Sequence, residues 1–186
     1  MLSRLLGRSR EASIAPAVYD GIVAASRAPG LYADLGVPDT VSGRFEMVVL
    51  HVFLVVHRLR DGGSPENALG QLVFDTFCNE MDRSLRELGV GDLGVPKRMR
   101  QVGQAFYGRT QAYAEAIAGN DKAGLAAALA RNIFKTPGDA TAAGALARYA
   151  LASARHLATV APASLASGTL PFPDPASFAA TAGAVA

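Results

Sequence analysis

The sequence predicts an all-α fold, a single-domain helical bundle of about six helices, and three observations carry that expectation. Apolar residues recur at helical spacing in successive stretches between Ala15 and Val160. No stretch alternates apolar and polar residues with the period of two that a half-buried strand requires. The breaks between stretches fall at Pro, Gly, Asn and Asp, residues that stop one helix and cap the next. A chain of 186 residues, 50% hydrophobic and 18% charged, can build one substantial core and gives no reason to invoke two.

Residues 1–14 stand apart. Leu2, Leu5 and Leu6 interleave with Arg4, Arg8 and Arg10, which suits a basic amphipathic helix on an anionic membrane surface or a flexible terminus packing its leucines on the domain. The helical domain is expected over 15–160. Its first helix runs from Ala15 to Ala28 and stops at Pro29-Gly30, and LYADLGVPDT then makes a turn and a loop. A second helix from about Val41 to Arg60 repeats Phe45, Val49, Val52, Val56 and Leu59 on one face and Met47, Leu50 and Leu54 on another. A helix apolar nearly all round belongs at the centre of a bundle. Asp61-Gly62-Gly63 ends it.

Ser64-Pro65 opens the third helix as cap and first helical residue. Its apolar stripe is Phe74, Phe77, Cys78, Met81, Leu85 and Leu88, with Asp75, Asn79, Asp82 and Arg86 on another face. After GVGDLGVP, a fourth helix aligns Met99, Val102, Phe106, Tyr113 and Ile117, and its Gly103 and Gly108 suggest close helix contact or a kink. Asn120-Asp121 caps a fifth helix with Leu125, Leu129 and Ile133, which Thr136-Pro137-Gly138 closes. Asp139 caps a sixth through Leu146, Tyr149, Leu157 and Val160. Residues 161–186, rich in Ala, Pro and Ser, read as a loosely attached tail with a short helix near Pro175 to Ala180.

Composition excludes some functions. A net charge of +2 is not that of a nucleic-acid-binding polycation. The single cysteine, Cys78, permits no internal disulfide and suits a reducing compartment. MLSRLLGRSR lacks the apolar run of a signal peptide. The uncharged run Met47–Val56 is half of the ~20 residues that cross a bilayer. A cytoplasmic protein is expected, with peripheral contact at the cytoplasmic face of the inner membrane.

Catalytic groupings are missing. His51 and His57 share a helix but lie about 240° apart around its axis, so they do not grip one metal. Met47 and His51 are spaced to face one haem, yet that spacing is common in core helices, and His51 reads better as a hydrogen-bonded core or groove residue. Asp75, Glu80 and Asp82 lack the Glu-x-x-His pattern of helical di-iron proteins, so no metal is expected. Their face is solvated, with pairs such as Asp82–Arg86, or it is a partner-binding stripe. Cys78 reads as a structural thiol. No phosphate loop, nucleophile elbow or Cys-x-x-Cys appears, so neither a catalytic residue nor a cofactor is expected. Lys97, Arg98 and Arg100, followed by Arg109, form the most unbalanced charge cluster. The cluster is an ordinary solvated face or, because cations at a helix start oppose the macrodipole, a docking element toward RNA, ribosome or anionic lipid, with Phe106 and Tyr107 beside it.

The runs HVFLVVHRLR, LGQLVFDTFCNEMDRSLRELGVGDLGVPKRMR, FYGRTQAYAEAI and ALARNIF carry a resemblance. Over roughly Tyr19 to Phe134 the chain resembles the ubiquinol–cytochrome c chaperone family, whose mitochondrial members are the Cbp3-related cytochrome b assembly factors. It looks like a bacterial-type member, without a long N-terminal targeting extension and with an Ala-rich C-terminus of its own. The resemblance implies a non-catalytic, all-helical assembly chaperone for ubiquinol–cytochrome c reductase (complex III). Implied partners are newly made cytochrome b or other reductase subunits, a small helical partner protein, and a ribosome or membrane surface. A client groove would be lined by the second and third helices, with Tyr107, Tyr113 and the basic cluster at its rim. The residues assigned to partner binding are Asp75, Asn79, Asp82, Lys97, Arg98, Arg100, Phe106, Tyr107 and Tyr113. The alternative is a helical small-molecule protein holding haem or quinone in a closed cavity where His51 and Glu46 converge.

Overall fold

A computed structural model describes residues 2–60, 64–134, 140–165, 168 and 170–179, with side chains undescribed for 2–12, 64–66 and 162–163. The described residues form helices and turns without a strand. In chain order they are α1 (Leu2–Ser26), the turn α2 (Pro29–Ala33), α3 (Val41–Arg60), α4 (Ser64–Glu87), α5 (Val95–Ala118) and α6 (Lys122–Leu129). A π-helical turn (Ala130–Phe134) extends α6 and precedes α7 (Ala140–Thr159), the turn α8 (Pro162–Leu165) and a 3-10 turn (Pro175–Phe178). The six expected helices are α1, α3, α4, α5, α6 and α7.

The doubly apolar pattern of α3 places it at the centre, packed against α1, α4, α5 and α7. Met47, Leu50, Val52, Leu54 and Leu59 are buried on its several sides. Val18 and Ile22 of α1, Val73 and Phe77 of α4, Tyr113 of α5, Leu125 and Leu129 of α6, and Leu146 and Tyr149 of α7 complete one continuous core. Asp121 caps α6 as expected, its side chain accepting from the Gly124 amide at 2.9 Å. The expected stops and caps at 61–63 and 136–139 lie outside the described residues, as does the Ser64 side chain.

Four expectations change. The first helix begins at Leu2, not Ala15, and continues through Pro16. The missing proline N–H there is tolerated where Ala15, Val18 and Tyr19 are buried in the bundle. α4 ends at Glu87, so Leu88 leaves the apolar stripe and is 78% exposed. A Cβ at Gly103 or Gly108 meets nothing within 4 Å, so neither glycine serves close helix contact. That role falls to Gly70, whose Cβ would sit 3.2 Å from Leu59 Cβ where α4 crosses α3.

The largest correction concerns the tail. Over its described part it is anchored, not loose. Leu165 and Pro175 are buried, and Leu170, Phe172 and Phe178 pack on the core. Gly21 on α1 lets the tail backbone approach, since a Cβ there would lie 2.2 Å from the Gly168 carbonyl oxygen. Gly168 adopts φ +77°, a conformation suited to glycine. Arg148 Nη2 donates to the Phe178 carbonyl at 2.8 Å, and Arg58 donates to those of Leu157 and Val160 at 2.9 and 3.1 Å. Composition alone suggested looseness, and five widely spaced apolar residues undo it by finding a surface to bury.

Candidate functional site, an open groove beside the central helix

Where α4 and α5 leave α3, they enclose a groove of about 550 Å³. α4 packs chiefly on α1 and α3 and touches α5 much less, so the cleft between them stays open to one side. Its floor is aromatic. Phe74 lies 4.9 Å from Phe106 and 6.2 Å from Tyr107, centroid to centroid, and Phe77 backs Phe106 at 5.7 Å. Phe53 closes the α3 side, stacked on His57 at 5.3 Å and edge-on to Tyr113 at 5.7 Å. Arg60, Asn67, Gln71, Thr110, Gln111 and Glu115 supply a polar rim.

Side-chain periodicity on α5 explains which aromatics reach this groove. Phe106 and Tyr113, seven residues apart, point the same way into the bundle. Tyr107, one residue on, turns outward and is 66% exposed. Tyr113 is 1% exposed, its hydroxyl accepting from Asn132 Nδ2 at 3.1 Å, and burial pushes that hydroxyl up to about 12. The expectation that Tyr113 stands at the rim is therefore corrected: it belongs to the core beneath. Phe106 is buried as floor, and Tyr107 alone of the three is free to touch a partner.

The polar residues assigned to partner binding are not all in the groove. Asp75 and Asn79 are exposed on α4, Asp75 accepting from Gln71 Nε2 at 2.8 Å. Asp82 pairs with Arg86 at 2.7 Å, four residues on as expected, and Arg86 also reaches Asp92. Lys97, Arg98 and Arg100 are exposed at the start of α5, outside the groove lining, and join no ion pair among the described residues. Arg100 and Tyr107 lie two turns apart on one side of α5, so the basic cluster and the groove share an exposed stripe.

Arg109 differs from those three. It turns inward, and its Nη2 donates to Glu46 Oε1 at 2.8 Å, with side-chain exposures of 21% and 5%. This pair ties α3 to α5. A carboxylate on a buried helix face is a signal that a partner is needed, but the sequence does not identify which one.

His51 faces a different side of α3 from His57 and is fully buried. Its Nδ1 lies 2.7 Å from the Met47 carbonyl, which only accepts, so Nδ1 carries the proton. Nε2 then accepts from the Tyr149 hydroxyl at 2.8 Å. Burial holds the imidazole down to about 4, hence neutral, and raises the Tyr149 hydroxyl. Phe172 from the tail caps the ring edge-on at 4.8 Å. With both nitrogens engaged and Glu46 turned to Arg109, the two residues do not converge on a shared cavity. Cys78, half-buried, has its thiol raised by burial first and by Asp75 second, which suits a structural role. Among the described residues no cluster of three His, Cys, Asp or Glu could hold a metal, and no helix is long and apolar enough to cross a membrane.

This architecture has known counterparts. The crystal structure of the Cbp3 homolog from Brucella abortus is 42% identical, covering 94% of this chain and 98% of that one with a TM-score of 0.81. Ubiquinol-cytochrome-c reductase complex assembly factor 1 of Xenopus laevis is 26% identical over 97 residues, 52% of this chain and 48% of the relative. The mouse protein of that name is 29% identical over 97 residues, 52% of this chain and 32% of the relative. The match thus spans half or less of these curated relatives' own length. A model of the family described as ubiquinol-cytochrome C chaperone matches residues 33–172, later in the chain than the resemblance suggested and including the tail as far as Phe172. Three quarters of the sequence lies within that match, and the chain belongs to the ubiquinol-cytochrome C chaperone family.

Proposed function

We propose that this chain is a non-catalytic chaperone for assembly of ubiquinol–cytochrome c reductase, holding an apolar helix of newly made cytochrome b in the groove between α4 and α5. The observation that carries the reading is the groove itself, an aromatic floor left open to solvent with a polar rim, in a member of a chaperone family. A helix docks in such a groove through side chains at i, i+3 or i+4, and i+7, and the aromatic floor offers them apolar surface without covalent chemistry. A client helix awaiting a bilayer gains from this contact as it would from lipid. The exposed Asp75 and Asn79 flank the α4 side and Tyr107 the α5 side, where they would set register. The protein acts at the membrane periphery, close to where its client is inserted.

The test is genetic and biochemical together. Tyr107→Ala removes an exposed anchor without opening the core. In cells carrying only that variant, cytochrome b recovered with the chaperone should fall about tenfold, as for loss of an interface hot spot, and reductase activity should fall with it. Unchanged cytochrome b recovery and reductase activity, with Tyr107→Ala and a second variant Gln111→Arg alike, would contradict the reading.

A further inference from the structure

The loop between α4 and α5 carries exposed leucines for which the client groove has no use. Leu93 is 98% exposed and Leu88 78%, the two ends of the segment Leu88-Gly-Val-Gly-Asp-Leu93. Neither lines the groove. Leaving two leucines in water is unfavourable unless something apolar covers them. Two glycines make the loop compliant: Gly89 sits at φ +82°, and a Cβ at Gly89 or Gly91 would meet nothing within 4 Å. Charge surrounds it asymmetrically. From Arg83 to Arg100 there are five basic and two acidic side chains, a net +3 against +2 for the whole chain. The acidic members are already matched, Glu87 with Arg83 and Asp92 with Arg86. Lys97, Arg98 and Arg100 are exposed with no ion-pair partner among the described residues.

We propose that this loop is the membrane-docking element, with Leu88 and Leu93 inserting at the headgroup–acyl boundary of an anionic bilayer and Lys97, Arg98 and Arg100 holding its phosphates. The inference gives a place to the peripheral membrane contact in the function proposed above. Leucines at the tip and cations one to two turns behind match the layering of a bilayer surface, apolar beneath and anionic above. A flat polyanion such as RNA uses the cations but gives the leucines nothing to enter. Because Arg100 and Tyr107 share one stripe of α5, docking here leaves the groove opening beside the membrane surface.

The sequence contains no tryptophan, so Leu93→Trp places a single tryptophan at the tip, excited selectively at long wavelength over the tyrosines. Vesicles of phosphatidylcholine with one third phosphatidylglycerol should shift its emission to the blue, and brominated acyl chains should quench it. Vesicles of phosphatidylcholine alone should do neither at physiological salt. In co-flotation of the full chain, Leu88→Ser/Leu93→Ser should weaken binding to the anionic vesicles about tenfold or more. Lys97→Gln/Arg98→Gln/Arg100→Gln should weaken it and flatten its dependence on salt. All five side chains are exposed, so the melting temperature serves as control and should not move. An unshifted Leu93→Trp spectrum, or vesicle binding that survives both sets of substitutions, overturns the proposal. So does binding to a structured RNA that the leucine substitutions leave intact while vesicles are ignored. None of these measurements involves cytochrome b, so a failure here is separable from a failure of the client groove.

Discussion

Two histidines on one helix show how differently the two sides of this bundle are finished. His51 and His57 both sit on α3 among apolar neighbours, and each lies against an aromatic ring. Around His51 the chain returns: Tyr149 donates from a position 98 residues away, and Phe172 and Phe178 lay the tail over the site. Around His57 no described part of the tail returns, and Phe53, Phe74 and Phe106 face an open groove. The same kinds of residue make a sealed polar core on one side and an open groove on the other. Apolar patterning states what favours burial, whereas the path of the rest of the chain decides whether the protein itself supplies the cover.

The comparison can be broken most forcefully at the sealed side's counterpart in charge, the Glu46–Arg109 pair. Arg109→Met leaves a buried carboxylate and should cost about 3–5 kcal/mol in urea unfolding, with Glu46→Gln added to it restoring part of the loss. Equal stability of the single and double variants would mean that water reaches Glu46. Phe53→Ala should cost a similar 3–5 kcal/mol, because Phe53 closes the core as well as the groove. A melting temperature left in place would make Phe53 part of an open surface.

Next in size is the pH response of the closed side. His51 is held near 4 in the folded protein against about 6.5 unfolded, so the unfolded chain binds more protons between these values. Stability is therefore complete above about pH 6.5 and declines as pH falls toward 4, by about 3 kcal/mol at most. Replacing His51 with Gln should flatten that slope in denaturant titrations across pH. An unchanged slope would place the titration elsewhere. Tyr149→Phe should cost about 1–3 kcal/mol by leaving Nε2 of His51 without its donor. The smallest effect belongs to the open side, where Tyr107→Ala should change stability by less than about 0.5 kcal/mol while weakening client binding.

Much of the bundle was legible beforehand. The double apolar stripe of α3, the Asp121 cap and the Asp82–Arg86 spacing are local patterns, and local patterns survive folding. What escaped were features made by distance along the chain. The tail's glycine contact at Gly21, the Arg109 partner of Glu46 and the Tyr149 partner of His51 are all non-local. In the groove, Phe106 and Tyr107 were identified as a pair, but only the register of α5 against α3 assigns one to the floor and the other to the rim. Tyr113 was misplaced for the same reason. Leu88 looked like the next step of an apolar stripe because nothing in its neighbourhood except Gly89 announced that α4 ends one residue earlier.

The central claim is that the open side receives what the chain does not provide. A photoreactive phenylalanine analogue placed at Gln111, on the groove rim, tests it directly during synthesis of cytochrome b. The account predicts a crosslink to cytochrome b from Gln111 and none from Lys122, which begins α6 outside the groove. Equal crosslinking from both positions, or none from Gln111 while the protein still recovers cytochrome b, would contradict it.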